Sequence, residues 1–443
     1  MTFDLILKGG SVAAPGGLET ADIGVRGGRI ARIGMLEAAQ AGRVVDCAGL
    51  TILPGVIDSQ VHFREPGLEH KEDLASGSLA AVMGGVTGVF EMPNTRPSTA
   101  SADALAEKVS RAAGRMWCDH AFYMGATAEN ADDLAELERV PGCCGVKLFM
   151  GASTGDLLVW DDATIARVFR SGRRRVAIHA EDEQRMRNRR HLADEGGHAR
   201  FHPVWRDDES AMLATRRAVA LARETRRRVH ILHVTTPAEL EFLSQHKDIA
   251  SCEVLPQHLT LAAPDCYDRL GAYAQMNPPI RSAEHRDGLW FWLNQGVVDV
   301  LGSDHAPHTR AEKDQPYPAS PSGLTGVQTL LPLMLDHVAN GRLSLQRLID
   351  LTSAGVTRLF NLIGKGRLAV GYDADFSVVD LKKQWTITHA QQASRVGWTP
   401  FDGMTVTGKP VGTIIRGQVV MWEDVVEGAP IGAPMRFQET LRG

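Results

Sequence analysis

The stretch Asp58-Ser-Gln-Val-His-Phe-Arg-Glu-Pro-Gly67 follows the apolar run Thr51-Ile-Leu-Pro-Gly-Val-Ile, whose Pro-Gly pair reads as a turn leading into a short buried strand. Side chains on a strand repeat every two residues, so Gln60, His62 and Arg64 share one face and emerge together if the strand ends there. Neutral imidazole suits a divalent metal, and a planar guanidinium suits an anionic substrate. A His-x-Arg pair on one strand is a weak signal alone; the downstream segments add to it.

Polar residues close almost every later apolar run. They occur in Glu91-Met-Pro-Asn94-Thr, Gly145-Val-Lys147-Leu-Phe-Met-Gly-Ala-Ser-Thr, Ala177-Ile-His179-Ala-Glu-Asp, Ile231-Leu-His233-Val-Thr-Thr, Gln275-Met-Asn277-Pro-Pro-Ile-Arg and Gly302-Ser-Asp304-His305-Ala-Pro-His308-Thr. A histidine in an apolar strand is more often a satisfied core residue than a ligand. His62, His179 and His233 at the same relative depth turn that balance towards a metal. Lys147 in a buried strand must be paired or neutral. Unmodified, it would be a salt-bridge partner; reaction of its amine with carbon dioxide would give a carbamate anion able to bridge two metals. Asp304 reads either as a helix N-cap or, beside a metal, as ligand and proton shuttle. Asn94 and Asn277, each beside a proline, read equally as turn residues or as polar contacts to a ligand. Arg64 could also form a local ion pair with Glu65, worth little if exposed.

These residues need a scaffold that brings strand ends together. Residues 1 to about 52 read as short strands between glycine turns, with Asp4–Lys8, Ser11–Ala14, Ile23–Arg26, Arg29–Ile33 and Val44–Asp46 broken by Gly-Gly pairs. From 54 to about 362, short apolar runs alternate with helical stretches. Eight candidate strands, 56–60, 86–92, 119–124, 144–150, 176–180, 229–234, 250–256 and 297–303, predict an α/β fold with a closed (β/α)8 TIM-type barrel. The β pattern returns after about 365, so the two ends are expected to meet in one small β-sandwich. The expected division is 1–53 for its N-terminal part, 54–364 for the barrel and 365–443 for its C-terminal part and tail.

Bulk composition excludes several classes. The formal net charge of −5 gives no reason to expect nucleic acid or an anionic membrane as partner. Arg173-Arg-Arg175 and Arg226-Arg-Arg228 read as helix C-termini and solvated turns. Six cysteines without CxxC spacing fit reduced thiols in a cytoplasmic protein. The N-terminus lacks a signal-peptide pattern, and no apolar run reaches about 18 residues.

Together the motifs resemble the cyclic amidohydrolase branch of the amidohydrolase superfamily, the dihydroorotases most closely. Val61-His-Phe-Arg-Glu-Pro-Gly67 resembles the His-x-Arg-Glu-Pro-Gly signature, and Met92-Pro-Asn-Thr95, Asn277-Pro-Pro279 and Ser303-Asp-His-Ala-Pro-His308 match three further blocks in the same order. The resemblance covers roughly residues 1 to 380. It implies a zinc-dependent hydrolase that reversibly closes N-carbamoyl-L-aspartate to L-dihydroorotate in pyrimidine biosynthesis, with Asp304 as general acid and base. The implied metal ligands are His62, Lys147 as its N6-carboxylated form, His179, His233 and Asp304. Arg64, Asn94 and His308 would hold the substrate carboxylate, Asn277 and the backbone at Gly323 the ring, and 311–320 would form a loop over the site. Gln60 stands where the family usually has the first histidine of a His-x-His pair. An amide is a weaker zinc ligand than imidazole, so one tightly held zinc is expected, or two with the one near Gln60 held weakly. Two other readings follow: a hydantoinase or allantoinase type of cyclic amidase, and a non-catalytic partner of aspartate transcarbamoylase. A homodimer is the expected assembly.

Overall fold

The computed structural model describes residues 2–14, 16–152 and 157–440, so Ser153 and Thr154 of the run after Lys147 and the last three residues lie outside the described residues. Five strands open the chain: β1 (Phe3–Ala14), β2 (Gly17–Arg26), β3 (Arg29–Gly34), β4 (Ala41–Asp46) and β5 (Thr51–Pro54). Eight more follow: β6 (Val56–Val61), β7 (Val86–Glu91), β8 (Asp119–Gly125), β9 (Cys143–Phe149), β10 (Val176–His179), β11 (Val229–Ile231), β12 (Ala250–Val254) and β13 (Val300–Leu301). The last four are β14 (Phe376–Thr386), β15 (Thr405–Ile415), β16 (Gln418–Trp422) and β17 (Val425–Val426).

Strands β6 to β13 pair in chain order, all parallel, and every residue in them is buried. That is the signature of a sheet covered on both faces, and it explains why these runs show no alternation. The barrel closes between its first and last segments: Val61 bridges to His305, and the His62 N–H donates to the His305 carbonyl at 2.7 Å. The eight expected strands all appear, within three residues of their predicted starts. The last, expected over 297–303, is regular only at Val300–Leu301, because the chain turns inward at Asp304. Intervening helices such as Leu74–Met83, Ala102–Ala112, Asp162–Arg170 and Asp208–Thr225 begin on Asp73, Ser101, Asp161 and Asp207, whose side chains accept from N–H groups of the first turn.

The two chain ends do meet, in one nine-stranded sheet ordered β17-β16-β15-β14-β5-β1-β2-β3 with β4 on β1. Pairing is antiparallel except that β1 runs parallel to β4 and β5. The Gly9-Gly10 pair, expected to separate two strands, only bulges one: β1 slips register against β2 between Leu7 and Gly10, with Gly9 at φ +71°.

The arginine triplets depart from expectation. Arg226 does end a helix in the left-handed conformation. The central members Arg174 and Arg227, however, are 4% and 3% exposed. Arg227 pairs with buried Glu138 at 2.6 Å, and Glu138 also accepts from the Arg173 and Arg174 N–H groups. A carboxylate buried under the barrel floor makes a full charge there tolerable, which composition alone does not reveal.

Several buried histidines give a pH-dependent stability. Burial pushes His120, His258 and His337 down to about 4, and His202 to about 3, from an ordinary 6.5. They are neutral in the folded state and charge on unfolding below about 6.5, so the unfolded chain takes up more protons. Their stabilisation is complete above pH 6.5 and is lost as pH falls towards 4, by up to about 1.4 kcal/mol per pH unit for each histidine. Denaturant titrations of the metal-free protein across pH 4 to 7 are expected to show this loss; flat stability would contradict it.

Candidate active site

The C-terminal ends of the barrel strands surround a small cavity lined by Gln60, His62, Lys147, Phe149, His179, His233, Asn277, Asp304, Ala306, Ser322 and Gly323. Eight of the residues singled out in the sequence thus reach one space, contributed by β6 and its end, by β9 and β10 and by the segments after β11, β12 and β13. Arg64, His233 and Asp304 have φ of +66°, +37° and +46°. The left-handed backbone costs a non-glycine residue about 1 kcal/mol or more. Here it lets each chain turn off its strand and aim a side chain at the rim.

Two polar pairs face the cavity. His62 Nδ1 contacts Asn94 Oδ1 at 2.7 Å, which makes Nδ1 the protonated nitrogen, and its Nε2 lies 3.1 Å from Asp304 Oδ1. The Gln60 amide donates to the same Asp304 oxygen at 3.1 Å. Across the cavity, His179 Nδ1 lies 3.2 Å from His233 Nε2, and His179 Nε2 donates to Glu181 at 2.7 Å. Glu181 is itself paired with Arg206. Burial would raise the Glu181 carboxyl, but Arg206 and His179 outweigh it and hold the group well below the usual range. Burial likewise keeps His62 and His179 below their ordinary values, and His233 far below, so all three rings are neutral near pH 7.

Lys147 is fully buried, and its Nζ has no hydrogen-bond partner among the described residues. Phe149 presents its ring 4.4 Å from the amine. Burial pulls the amine down to about 7, with Asp304 and Glu253 opposing, so a large share of it is neutral and nucleophilic at physiological pH. Below the cavity floor, burial raises Asp58 to about 7 and Glu253 to about 8.

These residues fit a divalent metal. Two ligands on a tetrahedral ion with metal–nitrogen bonds of about 2.0–2.1 Å stand about 3.3 Å apart, close to the 3.2 Å between His179 and His233. Each fixed tautomer leaves a lone pair available, Nε2 on His62 and Nδ1 on His179. Among the described residues, no three His, Cys, Asp or Glu side chains come together as a ready-made ion site. The lining group that could complete the set is Lys147, as its carbamate. The Gln60 Oε1 is buried without a partner among the described residues, an oxygen suited to weak ligation.

Arg64, Asn94 and His308 do not line that cavity but adjoin it. Asn94 is placed against His62. Arg64 is 2% exposed; its Nε donates to the Pro307 carbonyl at 3.1 Å, and its Nη2 lies 3.2 Å from His308 Nε2. It does not pair with Glu65, which turns away to Arg115. Lys71 Nζ approaches His308 Nδ1 at 3.0 Å, and an ammonium can only donate, so Nε2 carries the ring proton and donates to the Ser322 carbonyl at 3.0 Å. Arg64 Nη2 and His308 Nε2 are therefore donor against donor. Burial lowers Arg64 to about 10, which leaves it charged. Asn277 Oδ1 accepts from His202 Nε2 at 2.9 Å. Gly323 has φ +147°, and a Cβ there would lie 2.3 Å from the Ala306 carbonyl oxygen, so the segment beside His308 requires glycine. The segment 311–320 is partly helical: Arg310–Lys313 forms one turn, and Pro318–Ser322 borders a second, wider cavity that also touches Asn277.

The sequence reading missed Glu181, Lys71 and Lys313. Glu181 was legible: His179 and Glu181 stand two residues apart, the spacing that puts both on one side of an extended chain. Lys71 and Lys313 carried no local signal. Lys313 is 1% exposed, and its Nζ donates to the Pro321 and Gly323 carbonyls at 2.9 and 3.0 Å.

The model of the Amidohydrolase family matches residues 51–420. A dihydroorotase of Halobacterium salinarum is 39% identical over 386 residues, 86% of this chain and 88% of that one. An L-hydantoinase of Paenarthrobacter aurescens is 33% identical over 438 residues, 94% of each chain. Among solved structures, an L-hydantoinase (dihydropyrimidinase) from Arthrobacter aurescens superposes with a TM-score of 0.91 at 31% identity, covering 97% of this chain and 98% of that one.

Proposed function

The chain belongs to the amidohydrolase family and is a hydrolase acting on cyclic amides, and from that premise we propose that it is a dihydroorotase, interconverting L-dihydroorotate and N-carbamoyl-L-aspartate. The observation that carries this reading is the donor-against-donor contact between Arg64 and His308 beside the cavity, with Lys71 behind it. Two buried donors 3.2 Å apart, of which His308 Nε2 also meets the Ser322 carbonyl, offer hydrogen bonds to an anion, and a planar guanidinium suits a carboxylate in particular. A ring substrate bearing a carboxylate satisfies both; a plain hydantoin does not.

His62, His179, His233, Asp304 and Lys147 as its carbamate would hold the metal, zinc by the chemistry of this donor set, with Gln60 as a weak further ligand. When bound, the metal supplies a water nucleophile at neutral pH and polarises the scissile amide carbonyl. Asp304 accepts the proton of the attacking water and returns it to the leaving ring nitrogen. Arg64, His308 and Asn94 orient the ring through its carboxylate, and Asn277 with the Gly323 backbone faces the ring edge. Glu181 holds the His179 tautomer, and buried Phe149 keeps the amine of Lys147 out of water. Read backwards, the same contacts close carbamoyl aspartate, the biosynthetic direction.

The test is hydrolysis of L-dihydroorotate against hydantoin by the zinc-loaded protein at mildly alkaline pH. Turnover of dihydroorotate supports the reading. Turnover of hydantoins alone would replace it with the hydantoinase type, that of the Arthrobacter structure to which this chain is similar. Turnover of neither, with zinc bound, would leave a non-catalytic partner. Arg64→Lys is expected to raise KM for L-dihydroorotate by about tenfold or more with a smaller change in kcat, since it removes the fork and keeps the charge. An unchanged KM would take the carboxylate away from Arg64.

A further inference from the structure

The small sheet sends one loop onto the active-site face of the barrel. Residues 387–404, between β14 and β15, leave and return at one neck, where the Ile387 N–H donates to the Met404 carbonyl and the Gly403 N–H to the Ile387 carbonyl, at 2.9 and 2.8 Å. The loop is seated by side chains at its tip. Ser394 donates to Glu72, which also accepts from the Arg395 N–H at 3.1 Å and from His305 Nε2 at 3.3 Å. Gln328 brackets the near side through Gln391 and Ala393 at 2.6 and 2.8 Å. Glu72, His305 and Gln328 all lie in the two barrel segments that present Arg64 and His308.

Trp398 is the centre of this contact and is fully buried. Its indole N–H donates to the His308 carbonyl at 2.8 Å, and its own carbonyl accepts from Thr325 Oγ at 2.9 Å. The Lys313 ammonium, which holds the Gly323 carbonyl, stands 5.8 Å from the indole centroid. Trp398 therefore ties the backbone of His308, through its indole, to Thr325 beyond Gly323, through its own carbonyl.

We propose that Trp398 is a positioning residue for the recognition of the ring carboxylate: from the small domain, it fixes His308 opposite Arg64. This rests on the carboxylate reading of the Arg64 and His308 site. Held by a hydrogen bond in a buried place, His308 keeps its Nε2, which donates to the Ser322 carbonyl, within 3.2 Å of Arg64, beside the place where the anion binds. Released, it moves with the 305–309 chain, while His62, Lys147, His179 and His233, carried by the ends of other strands, stay in place. The effect falls on substrates that use the carboxylate and spares those that lack it.

The test is Trp398→Phe, which keeps an aromatic filler and removes the N–H. Binding of orotate, an unreactive carboxylated ring, and of uracil, its carboxylate-free counterpart, is measured by calorimetry on the zinc-loaded protein, with KM and kcat for L-dihydroorotate alongside. The expected result is orotate affinity weaker by about three- to tenfold, a matching rise in KM, kcat within about twofold and uracil affinity unchanged, the range of one lost hydrogen bond. Equal losses for both rings, or no change in a protein of unaltered melting temperature, overturns the proposal. If Trp398→Phe does not fold, Thr325→Val, which releases the other side of the indole residue, reads the same orotate-to-uracil ratio. The carboxylate reading has its own control: a wild-type protein that binds orotate no better than uracil refutes that reading whatever Trp398 does, and the proposal with it.

Discussion

Asp304→Ala is expected to lower kcat by about a thousandfold, in a protein that still folds and still takes up metal. The Asp304 carboxylate is the acidic side chain within 3.1 Å of both His62 Nε2 and the Gln60 amide, on the side of the cavity opposite His179 and His233. A proton taken from water and handed to a ring nitrogen needs a group at that place. No neighbour stands ready to substitute: Glu253 is on the floor below, bonded to Ser59, and Glu181 is committed to Arg206 and His179. The fold should survive, because His62 is neutral and loses no counter-charge; the Gln60 amide left unpaired costs about 1–3 kcal/mol. Metal content by elemental analysis and a melting curve separate lost chemistry from lost structure. Turnover within about tenfold of wild type would remove Asp304 from proton transfer.

Lys147→Met should give the opposite signs for function and stability. An amine buried without a partner among the described residues is a liability in the metal-free protein, and an apolar side chain of similar length removes it. The variant is expected to be more stable than the metal-free wild type by about 1–3 kcal/mol and to bind zinc poorly, with activity down by about a thousandfold or more. The physical reason is the same in both cases. On the proposed reading the site keeps a costly nitrogen because its carbamate would add a second anionic ligand to the Asp304 carboxylate. Denaturant melts and zinc titrations measure the two halves separately. A variant that holds zinc as tightly as wild type would show that Lys147 takes no part in ligation. A variant less stable than the metal-free wild type would show that the amine has a partner in solution.

Much of the architecture was legible in the sequence. Strands buried on both faces read as continuous apolar runs, and a polar residue at the end of each run is a local signal, so His62, Lys147, His179, His233 and Asp304 could be named before their positions were known. The order of those runs also specified the barrel, since consecutive parallel strands with helical connections have few ways to close. The glycine-punctuated ends gave the small sheet, though not its order. Gly9-Gly10 was read as a break because sequence cannot distinguish a turn from a bulge.

What the tertiary structure decided is who faces whom. Glu181 fixing the His179 tautomer, Asn94 fixing that of His62, and Lys71 placing the ring proton of His308 on Nε2 are contacts between distant residues or between side chains whose direction sequence does not state. The same holds for Arg174 and Arg227, assigned to solvent by composition and placed by the fold around Glu138. Trp398 lies in a loop with no motif, and only docking of the small domain on the barrel brings it to His308. A residue's type and its place on a strand are local properties, fixed by the covalent chain and the period of two. Protonation, tautomer and the sign of a pocket depend on partners from elsewhere in the chain, and those the sequence alone does not specify.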